Sequence, residues 1–340
     1  MWWLIIIGVV VLCITAYDIL WTILSAAEAG PVSHVIMRFY KRISRMFRRN
    51  SLLSHQIVRS IGLFTFITSI NVWFLLFWLG WSLIFFATPS SVVLSSDMSS
   101  TGYVEKGYFV GYMIFTAGLG DYKPIGSTYQ ILAVLANATG IILVTITIAY
   151  LLSATDAVTR QRQMAGHISA LGNSPTSILV NAWNGKEKRL SSLNLPLNSI
   201  SKEITICAQM LMRFPLIFNF HSIETDYSAS IRLATFDEIL TIMECAMPSE
   251  FHIDKFTMIQ CRKTVDQFLM ATKEAIGIHF DIEIEVPVPS LAHLEQAGIP
   301  LVSHAQWRHN MKRSHIIERR RLLYKIVSDS ARQWSEVYGN

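Results

Sequence analysis

The sequence predicts a mainly α-helical membrane protein, with three transmembrane helices ahead of a mainly helical C-terminal domain. Three observations carry that prediction. Of 340 residues, 51% are hydrophobic and the mean hydropathy is +0.38, high for a chain dissolved in water. Three mostly apolar segments, Trp2 to Leu24, Ile61 to Ala87 and Tyr129 to Leu152, reach the roughly 20 residues that a helix needs to cross hydrocarbon. Among the 24 acidic residues, only Asp18, Glu28, Asp97, Glu105 and Asp121 precede Ala154, so the front of the chain suits lipid and the rear suits water. The layout is therefore an N-terminal span over 1–25, a basic linker over 26–59, a two-span segment with an intervening loop over 60–153, and an aqueous domain over 154–340.

The first span has no positively charged n-region ahead of its apolar run, so it reads as a retained helix even though Ala27-Glu28-Ala29 resembles a cleavage site. Inside it lies Asp18. A carboxylate at that depth is costly and calls for a partner, either for function or for structural pairing with a neighbouring polar side chain.

The linker that follows holds Arg38, Lys41, Arg42, Arg45, Arg48, Arg49 and Arg59, and no acidic residue occurs from Ala29 to Ser96. The positive-inside rule places it in the cytoplasm, which sets the N-terminus outside and the C-terminus inside a plasma or bacterial inner membrane. At about 100° per residue, Ile36, Phe39, Tyr40, Ile43, Met46 and Phe47 share one arc, and the six basic residues from Arg38 to Arg49 occupy the other. That is the pattern of an amphipathic helix on the inner leaflet, its basic face among anionic lipids. The net charge of +5 is accordingly assigned to topology and lipid headgroups, with no nucleic-acid partner.

Between the second and third spans the chain reads YFVGYMIFTAGLGD from Tyr108 to Asp121. Its last six residues, Thr116-Ala117-Gly118-Leu119-Gly120-Asp121, match the T-x-G-x-G-D filter, and the region from Ile61 to Ser153 resembles the potassium channel pore family, with one extra N-terminal span. The resemblance implies an outer helix, a re-entrant pore helix, a filter loop and an inner helix. In such a filter, backbone carbonyls replace the hydration shell of a dehydrated cation. Glycines at alternate positions permit the positive φ this requires, so Gly118 and Gly120 would let the carbonyls of Thr116, Ala117, Gly118 and Leu119 hold K⁺, while Asp121 concentrates cations at the outer mouth and ties the filter's outer end to the pore helix. Gly140 occupies the position of the family's gating hinge. Leu119 stands where most members have tyrosine or phenylalanine and Ala117 where valine or isoleucine is usual; the GLGD ending resembles the second filter of two-pore-domain members. One chain supplies a quarter of a closed ring, so the resemblance implies a homotetramer that conducts K⁺ passively, is not an enzyme and uses no cofactor. Two other readings are open at this stage: a non-selective monovalent cation channel, admitted by Leu119, and a membrane-anchored signalling or scaffold protein with a vestigial pore.

Past residue 154, helical spacing appears over Lys202 to Phe218, Phe236 to Met247, Lys255 to Ala275 and His309 to Trp334. The stretch Ile278 to Val286 alternates apolar residues with His279, Asp281, Glu283 and Glu285, as a solvated strand edge would. Arg319-Arg320-Arg321 reads as a solvated helix face. Cys13, Cys207, Cys245 and Cys261 are too far apart for a CxxC pair and read as free thiols. No span repeats arginine every third position, no G-x-G-x-x-G occurs, and the histidines show no HExxH spacing, which leaves voltage sensing, dinucleotide binding and zinc chemistry without a sequence basis.

Overall fold

Long apolar runs become long helices because a backbone in lipid can satisfy its polar groups only within itself. The computed structural model describes residues 1–24, 29–47, 52–185, 190–214, 217, 222, 224–276 and 284–339. It forms two compact units, residues 1–41 with 63–155, and residues 42–62 with 156–340.

The first unit draws on helices α1 (Trp2–Leu24), α2 (Pro31–Phe47), α3 (Leu52–Phe86), α4 (Tyr103–Ile114) and α5 (Gly126–Ser169). Helices α1, α3 and α5 are each long and apolar enough to cross a membrane. Helix α5 runs 44 residues, about 66 Å at 1.5 Å per residue, twice the thickness of a bilayer's hydrocarbon core. Its apolar part is the span predicted from Tyr129 to Leu152; the helix then continues through Asp156, Arg160 and Arg162 to Ser169. Strands β1 (Val92–Leu94) and β2 (Tyr122–Pro124) pair antiparallel, Val92 opposite Pro124 and Leu94 opposite Tyr122.

Asp18 is fully buried, and its partner is the start of α2. Proline at the first helical position removes one donor, and Asp18 takes the next ones. Its Oδ1 accepts from the backbone N–H groups of Val32 at 2.7 Å and Ser33 at 3.2 Å, and its Oδ2 accepts from the Ser33 hydroxyl at 2.7 Å and the Trp73 indole N–H of α3 at 2.8 Å. The carboxylate thus acts as an N-cap supplied from another helix, placed where the helix dipole favours negative charge. Of the two roles open in the sequence, the geometry supplies structural pairing. Helix α2 is amphipathic over its described part: Arg38 and Arg42 are exposed, Val35 and Phe39 are exposed apolar residues, and the Tyr40 hydroxyl bonds Thr68 of α3 at 2.8 Å. Arg48 and Arg49 lie outside the described residues.

In the second unit, α6 (Pro175–Ala182), α7 (Asn194–Arg213), α9 (Lys255–Ile276), α10 (Ala292–Gln296), α11 (His304–Met311) and α12 (Ser314–Asp329) accompany a central helix, α8 (Ala229–Ala246). Helices α6, α9, α11 and α12 all pack on α8, and α7 pairs with α9. Nearly every residue of α8 is buried, including Arg232, Asp237 and Glu238. Charges survive there because each meets an opposite one. Arg262 bonds Asp237 at 2.6 Å and Glu244 at 2.9 Å, Arg232 pairs with Asp226, and Arg320 pairs with Glu238, whose other oxygen accepts from the Tyr338 hydroxyl at 2.8 Å. This corrects the reading of Arg319-Arg320-Arg321 as a solvated face: Arg320 is buried and Arg319 reaches Asp266 at 3.0 Å.

The helix expected over His309 to Trp334 is broken at residues 312–313, between α11 and α12; in the last turn of α11, Asn310 donates its amide to the Cys245 carbonyl at 2.9 Å. Helix α7 stops at Arg213, short of the expected Phe218 and two residues before Pro215, because a residue preceding proline is disfavoured in helical geometry. Most of the candidate strand, residues 278–283, lies outside the described residues; Glu285 sits in an irregular stretch. The four cysteines are free, and burial pushes the Cys207 thiol up to about 12 and the Cys245 thiol to about 11.

Two outcomes test these contacts. Asp18→Ala leaves four donors short of an acceptor, at roughly 1–3 kcal/mol for each one left buried and unmet, so thermal unfolding in detergent should fall well below wild type, with Asp18→Asn between; trypsin should then cut faster at Arg38 as α2 loosens. Burial pushes the Glu244 carboxyl up, but Arg262 and His315 outweigh it and hold it below the ordinary 4.5. A depressed folded-state pKa contributes stability above the unfolded value that is lost as pH falls through the folded one. Melting curves from pH 7 downward should therefore lose stability below about pH 4.5, and Glu244→Gln should remove that share, on the order of 1 kcal/mol for a pair whose carboxylate is still reached by solvent.

Candidate functional site

The segment from Phe115 to Asp121 is irregular backbone that follows a short helix, α4, and leads through strand β2 to the candidate span of α5. Helix α4 delivers it. That helix is wedged by its own composition: Phe109, Val110, Tyr112 and Ile114 are buried, and Lys106, also buried, gives its ammonium to the Thr88 carbonyl at 2.7 Å. Trp78 of α3 donates its indole N–H to the Gly107 carbonyl at 2.9 Å, and Phe74 stacks on Phe115 with ring centroids 5.5 Å apart. On the other side, Gly140 of α5 lies so close that a Cβ there would sit 2.3 Å from the Ile114 carbonyl oxygen. Gly140 thus has a packing reason of its own, and α5 runs through it as unbroken helix.

The backbone beyond α4 alternates. Thr116, Gly118 and Gly120 take φ of 58°, 59° and 80°, all left-handed. For Gly118 and Gly120 that is ordinary, whereas a β-branched threonine in that region is a genuine outlier. The segment is fastened at both ends. At the start, the Ala117 N–H bonds the Tyr112 carbonyl at 2.8 Å. At the end, the Ser95 hydroxyl donates to the Gly120 carbonyl at 2.7 Å, the Ser95 N–H to the Asp121 carbonyl at 2.8 Å, and the Tyr112 hydroxyl to the Tyr122 carbonyl at 2.7 Å. The β1–β2 ladder follows directly. Between these ties Thr116, Ala117, Gly118, Leu119, Gly120 and Asp121 are all exposed, and Leu119 leaves 52% of its surface open.

The segment is legible in the sequence; its supports are not. The tie between the segment's end and α4, expected of Asp121, is made by the Tyr112 hydroxyl. Ser95 lies in a loop with no periodic signal, and its role depends on a pairing of three-residue strands too short to read. The other singled-out residues lie apart from this segment: Asp18 caps α2, and the described basic side chains, Arg38 and Arg42, belong to α2.

Compared with known proteins, the chain is 29% identical over 331 residues, 97% of its own length and 94% of the relative's, to "Uncharacterized membrane protein YdjJ" of Bacillus subtilis (strain 168). No protein-family model matches it, and no solved structure does.

Gly140→Ala separates packing from helix propensity. In a free helix interior alanine would stabilise by about 1 kcal/mol; against the Ile114 carbonyl it should instead cost roughly 1–3 kcal/mol of strain. A lower unfolding temperature in detergent is the expected sign.

Proposed function

We propose that the chain is one subunit of a homotetrameric potassium-selective channel that conducts K⁺ passively. The observation that carries this reading is the alternation of left-handed backbone at Thr116, Gly118 and Gly120 on an exposed loop between two candidate spans. Irregular backbone at membrane depth is tolerated only where protein buries it or where it lines water. A left-handed non-glycine residue costs about 1–2 kcal/mol, and such strain persists mainly at functional sites. Four copies around an axis would supply a carbonyl cage from Thr116 to Leu119, and would cover the exposed Leu119 and Phe115. In this reading α4 is the re-entrant pore helix, α3 the outer and α5 the inner helix. The exposed cations Arg38 and Arg42 of α2 face anionic lipid of the inner leaflet, with the N-terminus outside and the C-terminal unit in the cytoplasm. A relative bearing the name of a membrane protein supports the membrane placement.

Leu119 favours a second reading, a non-selective cation channel, because its side chain brings no hydrogen bond to brace the backbone. The Ser95 hydroxyl on the Gly120 carbonyl supplies a brace from another direction, and on that ground the selective reading is preferred.

Purified protein in liposomes should pass K⁺, with a reversal potential that follows the K⁺ gradient and not the Na⁺ gradient. Gly118→Ala has room for its methyl, since nothing lies within 4 Å, but holds alanine at a φ it disfavours; flux should drop to the empty-liposome level while the tetramer elutes unchanged. A reversal potential between the two gradients would select the non-selective channel. Absence of flux in wild type, whatever the pH or lipid, would select a scaffold with a vestigial pore.

A further inference from the structure

The second unit contains a cavity of about 930 Å³, within the range of small-molecule sites. One wall is α11. Residues three and four apart share a helix face, so His304, Arg308 and, one turn on, Lys312 line it beside Trp307 and Met311. The wall therefore carries a cationic stripe next to an apolar one. Trp307 is almost fully buried, while Arg308 and Lys312 are exposed and, among the described residues, form no ion pair.

The irregular stretch 284–291 also lines the cavity. Its backbone is held by two arginines of α12: Arg320 donates to the Pro287 carbonyl at 2.6 Å and Arg321 to the Ile284 carbonyl at 3.0 Å. The charge of Arg320 is answered by buried Glu238; among the described residues, that of Arg321 meets the Ile284 carbonyl dipole and no carboxylate. Two carboxylates also line the space, Glu295, which His304 reaches at 3.3 Å, and Glu285. The walls are thus fixed without a guest, two solvent-facing cations stand over an apolar floor, and the two carboxylates oppose any guest of high negative charge.

We propose that this cavity binds a small amphiphilic anion, a single phosphate or carboxylate carried on an apolar body, with Arg308 and Lys312 holding the anion and Trp307 and Met311 the body. A polyanion such as a triphosphate would meet Glu285 and Glu295, and a bare inorganic anion would leave the apolar floor wet. This site is independent of the pore reading and stands or falls without it.

The test is calorimetric titration of the full chain in phosphatidylcholine nanodiscs, with empty discs as blank. Naphthyl phosphate probes a soluble aryl anion, dihexanoyl phosphatidic acid a lipid source of the same chemistry, and inorganic phosphate the charge alone. At least one amphiphilic probe should bind about tenfold or more tighter than inorganic phosphate, and whichever binds tighter names the source. The Arg308→Gln, Lys312→Gln double variant, whose exposed positions leave packing intact as circular dichroism would check, should weaken that binding about tenfold or more, the effect of losing charge-assisted contacts; Arg160→Gln, outside the cavity, should not. Failure of both amphiphilic probes to outbind inorganic phosphate, or equal binding by the double variant, overturns the proposal.

Discussion

A carboxylate without water must have its lone pairs met by donors, and in the first unit that requirement organises three helices at once. Asp18 belongs to α1, its backbone donors to the first turn of α2, and its indole donor to Trp73 of α3. Each helix could form alone from its own apolar or amphipathic pattern. What their patterns leave undetermined is how the basic helix enters relative to the spans beside it. A single buried acceptor settles that, because any other entry would leave it, and the start of α2, with unmet polar groups.

The second unit applies the same rule more densely. Helix α8 carries acids and an arginine on faces that are wholly buried, and Arg262, Arg320 and Tyr338 reach it from elsewhere in the chain to match them. Pairs of this kind add little stability over an apolar core of equal volume, yet removing one member costs several kcal/mol. They act against mispacking: a helix rotated by a residue or shifted by a turn would bury the same carboxylates without their cations.

Lipid imposes the strictest rule in the chain, and what obeys it was legible. The three apolar helices, the amphipathic α2 and the segment from Thr116 to Asp121 all stand out in the sequence, since each depends on a local run or motif. The rest depends on distant partners. Arg232 looks like a surface residue until Asp226 answers it, and the helix expected from Phe236 begins seven residues earlier, at Ala229. The break between α11 and α12 comes just after Asn310, whose amide holds a carbonyl of α8, a contact that no periodicity encodes. Helix α6 opens with a serine capping box at Ser174 and a proline, a local start signal, but its eight residues are too few for a periodic pattern to follow.

The fastening of the Phe115–Asp121 segment has a consequence for how it would meet a guest. A loop anchored by a helix at one end and a strand ladder at the other has already lost most of its chain entropy during folding, so little remains to be surrendered when something binds. Recognition by such a backbone is governed by fit, not by adaptation: under the proposed channel reading, an ion of the wrong radius would have to bend the Ser95 and Tyr112 tethers to be held as closely as the right one.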